Sequence, residues 1–133
     1  MKFSSIAALS FVLLVGSHAS SSDIDARLKS CININQTTTG MTNCTNVALA
    51  EWDDELNRIY RELRLQLGEG ARDSLLIAQR KWIEYKEAEI QNINAIYGSL
   101  DGTMYIPMRA NAILTITKSR TLELKSYLAL VSK

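Results

Sequence analysis

Apolar residues recur at steps of three and four along the middle of the chain, and this spacing predicts a long amphipathic helix. The helix begins near Thr42 or Asn43, either of which can cap free backbone N–H groups, and it ends at about Leu67, before Gly68. The opposite face is charged, so one face is expected to be buried and the other solvated. The predicted buried stripe consists of Ala48, Trp52, Leu56, Ile59, Tyr60, Leu63 and Leu67.

A second helix is predicted from about Ala71 to Tyr97, and its apolar residues form two adjacent rows instead of one stripe. A helix that is apolar over so wide an arc needs two neighbours. Glu89 interrupts the first row, so it is either a buried or half-buried carboxylate with a partner or a residue at the rim. The first row is Leu75, Ala78, Trp82 and Ile96, and the second is Leu76, Ile83, Ile90 and Tyr97.

A third helix is predicted after the turn-rich segment from Gly98 to Tyr105. Pro107 fits the first turn of this helix, where no backbone N–H is needed, and the helix continues to about Leu130. Arg120 falls on its inward stripe, which predicts a carboxylate partner on one of the first two helices, because an unpaired buried charge is costly. No alternating strand pattern of useful length occurs. The chain is therefore predicted to be all-α: a small bundle of three main helices, of which the first two are long and antiparallel and the third packs across them.

The first 19 residues have the features of a secretory signal peptide. Met1 and Lys2 precede an apolar run from Ile6 to Val15, which is too short to cross a bilayer as a helix, and cleavage is expected after Ala19. We therefore expect a secreted or periplasmic protein with a single domain over residues 20–133 and no membrane-spanning segment after cleavage. Removal of Lys2 leaves 14 basic and 14 acidic residues. This balance indicates no nucleic-acid partner.

Cleavage also removes His18, the single histidine of the chain. Ser-His-Asp or Cys-His catalysis and zinc sites that contain histidine are then excluded for one chain acting alone. The two cysteines, Cys31 and Cys44, lack the C-x-x-C spacing of redox motifs and are predicted to form a disulfide in an oxidising compartment. This bond would tether the N-terminal segment to the bundle. We expect a protein that is not an enzyme and needs no cofactor or metal.

Two sets of residues on the predicted helices have both a structural and a functional interpretation. The aromatic set is predicted to lie in the core, and its alternative is a ligand platform. The polar set is predicted to be a structural cluster of hydrogen bonds between helices, and its alternative is a surface recognition site. The aromatic residues are Trp52, Tyr60, Trp82 and Tyr85, and the polar residues are Asp53, Glu55, Asn57, Gln79, Arg80, Thr117 and Arg120.

Four short motifs follow one another along the chain. They are Met41-x-x-Cys44; Trp52-Asp53-x-Glu55-Leu56-Asn57-x-x-Tyr60-x-x-Leu63; Leu75-x-x-Ala78-Gln79-Arg80-x-Trp82-x-x-Tyr85; and Thr117-x-x-Arg120 with Glu123-Leu124. Together they resemble the LprI-type lysozyme inhibitor domain, a secreted bacterial domain, over residues 31 to about 130. The ordered set is more specific than any one motif.

The resemblance implies a secreted protein that inhibits lysozyme-type muramidases by blocking the substrate cleft. Such a cleft contains a pair of carboxylates, and a Lys, Arg, Ser or amide side chain that projects from a loop can engage them. The segments from Cys31 to Gly40 and from Gly98 to Tyr105 are the predicted loops for this contact. Two alternatives remain: an immunity or envelope-protection protein that binds another cell-wall-degrading toxin, and an enzyme that uses paired carboxylates. The enzyme is less favoured, because convex three-helix packing of this size rarely leaves a deep pocket.

Overall fold

Four α-helices account for nearly all of residues 21–132, the part of the chain that the computed structural model describes. The helices are α1 (Ser21–Ile34), α2 (Thr38–Gln66), α3 (Glu69–Gly98) and α4 (Tyr105–Val131), and no β-strand occurs in this part of the chain. The predicted all-α fold is confirmed. The number of helices is corrected from three to four, because the N-terminal segment forms α1. The predicted signal peptide, residues 1–19, lies outside the described residues.

The segment predicted as a polar loop from Cys31 to Gly40 is mostly helical. Only residues 35–37 connect α1 to α2, and α2 begins earlier than predicted. Asn35 donates a hydrogen bond from Nδ2 to the carbonyl oxygen of Cys31 at 3.0 Å and so satisfies a free carbonyl at the end of α1. Thr37 caps α2, because its Oγ1 accepts from the backbone N–H of Gly40 at 3.0 Å. The Asn and Thr residues that indicated a loop therefore act as helix caps.

The main packing partner of α2 is α4, and the two helices run parallel. Trp52 lies in one core cluster with Leu114, and Leu63 lies in another with Leu124, so residue numbers increase in the same direction along both helices. This corrects the predicted packing of α4 across an α2–α3 pair. Small residues such as Thr117 and Thr121 are fully buried on α4, which lets its backbone approach α2 closely.

The two clusters divide the core along the length of α2. One contains Ile24, Ala48, Trp52 and Leu114, and the other contains Leu56, Ile59, Leu63, Leu75 and Leu124. Ile24 is fully buried and anchors α1. Two ion pairs add to this contact: Arg27 with Glu51 at 3.1 Å, and Lys118 with Asp25 at 2.7 Å. The N-terminal segment is therefore part of the bundle and not only tethered to it.

Helix α3 is antiparallel to α2, as predicted, but it is less buried than its two apolar rows indicated. Lys86 of α3 contacts Asp53 of α2 at 3.5 Å, while the principal contacts of α3 are with α4. Because α3 has one close neighbour, it buries a single narrow stripe, and Ile83 is 44% exposed. Tyr85, predicted to lie in the core, is 55% exposed, so that prediction is wrong. Trp82 is half-buried and packs at the edge of the Leu56 cluster.

The predicted Cys31–Cys44 disulfide is confirmed, and it joins the end of α1 to the start of α2. Replacing both cysteines with alanine is expected to lower the free energy of unfolding by about 3 kcal/mol, because the bond restricts the unfolded chain over a separation of 13 residues. Urea unfolding of oxidised wild type and variant measures the difference. A reductant should destabilise the wild type and leave the variant unchanged. A difference below about 1 kcal/mol would show that helix packing alone holds the end of α1 against the start of α2.

Candidate functional site

At one end of the molecule, the end of α1, the start of α2 and the α3–α4 connection border a single groove, which we call the end groove. Its volume is about 520 Å³. Its lining is mostly apolar and includes three methionines, whose flexible thioether side chains adapt to varied partner surfaces. The lining residues are Ile32, Met41, Thr45, Tyr97, Met104, Pro107, Met108, Asn111 and Ala112. Both segments predicted to make contacts therefore border one concave surface.

The α3–α4 loop, residues 99–104, is exposed at every position. It leaves α3 through Ser99, which donates a hydrogen bond from Oγ to the carbonyl oxygen of Ile96 at 2.7 Å. It turns at Gly102, whose φ of +124° favours glycine, and the carbonyl oxygen of Gly102 accepts from the N–H of Tyr105 at 3.3 Å. These local bonds give the loop a defined shape. Its apolar side chains Leu100 and Met104 are 42% and 61% exposed.

Arg109 lies in α4 beside this loop, where it lines a smaller cavity of about 340 Å³ together with Leu100 and Tyr105. It is half-buried, and it forms no ion pair or side-chain hydrogen bond with residues 21–132. Arg120, which is also half-buried, has polar partners in contrast. Arg109 thus offers an unpaired cation next to exposed apolar side chains. Arg109 was not among the predicted site residues, although it lies only one turn after the predicted loop.

Arg120 has a different set of partners from the predicted one. Its Nε donates to Oε1 of Gln79 on α3 at 3.1 Å, and its Nη1 donates to the carboxylate of Glu123 on its own helix. The carboxylate thus comes from α4, because an i, i+3 spacing places Glu123 beside Arg120. The contact between helices is made by an amide, and Gln79 is itself buried.

The seven predicted polar residues do not form one cluster. Gln79 and Arg120 are the pair that the structure brings together. Glu55 is buried but bonds within α2, where both of its oxygens accept from Arg58, at 2.7 and 2.8 Å. The hydrogen bond with Glu55 raises the pKa of Arg58 above its ordinary value, so this guanidinium stays charged.

The other polar residues have separate positions. Asp53 pairs with Lys86 across α2 and α3, and Asn57 and Arg80 are exposed. Thr117 is buried, and its carbonyl oxygen accepts from Thr121 Oγ1 at 2.8 Å. The predicted structural cluster is therefore corrected to a set of local pairs. Among the aromatic set, Trp52 is fully buried and Tyr60 half-buried.

A second concave surface, which we call the α3–α4 groove, runs between α3 and α4 and has a volume of about 720 Å³. Glu89 lies in this groove and is half-buried, and its oxygens are 3.4 Å from Nδ2 of Asn92. The groove explains why Tyr85 is accessible. Its lining residues are Trp82, Tyr85, Glu89, Ile93, Ala112, Thr115, Ile116, Ser119, Arg120 and Glu123.

Among residues 21–132, no three His, Cys, Asp or Glu side chains are grouped so that they could hold a metal ion. No helix in this same range combines the length and the apolar character needed to cross a membrane.

These features define a small disulfide-linked helical domain with concave surfaces at one end and between two helices. Residues 31–124 match the family described as lysozyme inhibitor LprI. The chain belongs to this family, as the ordered motifs indicated. The matched region includes both cysteines and most of both grooves.

A crystal structure of an uncharacterized protein from Burkholderia thailandensis has a similar fold, with a TM-score of 0.78 and 25% sequence identity. The similarity covers 83% of this chain and 55% of that chain, so the present protein corresponds to little more than half of the other. Among curated proteins, none is significantly similar to this chain.

Proposed function

We propose that the protein is an exported inhibitor that binds lysozyme-type muramidases and blocks the substrate cleft with its α3–α4 loop. The proposal includes removal of residues 1–19, which leaves residues 20–133 as the domain. Membership of the lysozyme inhibitor LprI family supports the class of partner. The observation that carries the mechanism is the exposed loop at residues 99–104, which stands beside the apolar end groove and the unpaired Arg109.

The shape and chemistry of this end suit a muramidase cleft. A cleft that accommodates a glycan strand can receive a projecting loop, and Leu100 and Met104 would bury apolar surface there. The cleft holds a pair of carboxylates, and the planar guanidinium of Arg109 can bind a carboxylate through two parallel hydrogen bonds. Asp101 in the loop and Arg109 carry opposite charges, so this end has little net charge, and apolar contact and geometry would contribute most of the affinity.

The test is a turbidity assay in which lysozymes of several classes lyse cell walls in the presence of the exported, oxidised protein. Dose-dependent loss of lysis is expected for at least one lysozyme class. Other peptidoglycan hydrolases belong in the same panel, since inhibition of one of them alone would instead support an envelope-protection protein with another partner. If folded protein inhibits no lysozyme at any concentration, the proposed function is wrong.

A further inference from the structure

The α3–α4 groove carries aromatic side chains on its α3 wall. Tyr85 is more than half exposed, and no other ring stacks on it among the described residues. Lys86 covers one face of Trp82, with its Nζ 5.3 Å from the ring centroid, so Trp82 has at most one open face. Tyr85 is therefore the open aromatic platform of this groove.

Polar groups surround this platform on both walls. Arg120 is held in place by Gln79 and Glu123, and Glu89 lines the same groove from α3. The Tyr85 hydroxyl and the Trp82 indole N–H form no hydrogen bonds with the described residues. The groove thus presents carboxylate acceptors and guanidinium, indole and hydroxyl donors within one concavity.

The charges of the groove disfavour an anionic ligand. The lining contains two carboxylates, Glu89 and Glu123, and one cation, Arg120, which is already paired with Glu123. An anionic ligand would meet a net negative surface and would find no free cation there. Apolar side chains of Ile93 and Ile116 complete the lining, and the volume of about 720 Å³ falls within the usual range for ligand sites.

We propose that the α3–α4 groove binds a neutral oligosaccharide, with a sugar ring stacked on Tyr85 and its hydroxyl groups bonded by Glu89, Arg120 and Glu123. A pyranose ring has an apolar C–H face that packs on an aromatic ring, and each of its hydroxyls both donates and accepts hydrogen bonds. The groove offers both kinds of contact and an approximate balance of donors and acceptors.

This inference goes beyond the proposed inhibition, because its ligand is a glycan and the residues involved are different. The two surfaces are nevertheless adjacent, since Ala112 lines both the α3–α4 groove and the end groove. A glycan held along α3 and α4 would therefore lead toward the end that is proposed to meet the muramidase.

The test is a titration of the exported, oxidised protein with chitotetraose and with cellotetraose, followed by backbone amide NMR shifts. Saturable shifts are expected at residues 82–93 and 112–123. Tyr85→Ala is expected to weaken binding at least about tenfold, through loss of the stacking platform. Ile83→Ala is the matched control, because Ile83 is an exposed apolar residue of α3 that does not line the groove, and its affinity should stay within about twofold of the wild type.

Binding of chitotetraose alone would assign the groove to acetamido sugars, and equal binding of both sugars would assign it to the pyranose ring itself. Either result supports the inference. No saturable shifts with either sugar, shifts confined to the end groove, or equal weakening by Tyr85→Ala and Ile83→Ala would overturn it. Because the titration contains no muramidase, its failure is independent of the inhibition assay.

Discussion

Arg109→Ala is expected to weaken inhibition of lysozyme about 30-fold or more while leaving the stability of the protein unchanged. Removal of an arginine at the centre of a protein interface commonly costs 2 kcal/mol or more, and about 2 kcal/mol corresponds to a 30-fold change in affinity. Arg109 forms no polar side-chain contact within residues 21–132, so its removal should change the folded state by less than about 0.5 kcal/mol. Inhibition curves and urea unfolding, measured on the same preparations, test both parts.

Two further variants separate a carboxylate contact from a general change of charge. Arg109→Lys keeps the charge but loses the planar fork, so intermediate inhibition is expected. Arg80→Ala is the matched control, because Arg80 is exposed on α3 and lies about 27 Å from Gly98 along the helix, at roughly 1.5 Å per residue. Equal loss of inhibition in Arg80→Ala and Arg109→Ala would contradict a contact at the loop end. It would instead favour recognition through the exposed surface of α3.

The sequence was most informative for α2, where one face meets a continuous core. Its apolar steps of three and four identified Trp52, Leu56 and Leu63, all of which are buried. Amphipathic spacing was less informative for α3, since it shows which faces could be covered but not whether a neighbour covers them. Tyr85 was placed in the core for that reason, whereas α3 packs mainly against α4 and leaves the ring accessible.

The connection between α1 and α2 shows a second limit of sequence patterns. Asn35 and Thr37 favour both loops and helix ends, and two helix ends three residues apart have the composition of one longer loop. The sequence therefore identified this region as a break in the helical pattern but overestimated its length.

The end groove could not be predicted from the sequence, because its lining residues come from different helices. Ile32 and Met104 lie far apart in sequence and line the same groove because the end of α1 and the start of α4 are at the same end of the bundle. The carboxylate partner of Arg120, in contrast, is visible in the sequence as Glu123 at i+3, but the position of the arginine on the inward stripe favoured a contact between helices. A local ion pair thus satisfied a charge that was expected to pair between helices.

Substitutions of Trp52 are expected to give the largest changes in the free energy of unfolding. It is fully buried among Ile24, Ala48 and Leu114, and its indole N–H has no hydrogen-bond acceptor among the described residues. Its ring lies 5.4 Å from Nζ of Lys118, and burial of so large a side chain contributes strongly to the core near α1. An unpartnered buried donor costs about 1–3 kcal/mol, which offsets part of that contribution.

Trp52→Ala is therefore expected to lower the free energy of unfolding by about 3–5 kcal/mol, whereas Trp52→Phe should change it by about 1 kcal/mol or less. Phenylalanine leaves a small void but also removes the unpartnered N–H, and the two effects oppose each other. Urea unfolding followed by circular dichroism measures both variants without relying on tryptophan fluorescence. Trp82→Phe is the control, since Trp82 is half-buried and its N–H is not a buried unpartnered donor. If Trp52→Phe costs as much as Trp52→Ala, removal of the unpartnered N–H does not offset the void, and the expected opposition of the two effects is wrong.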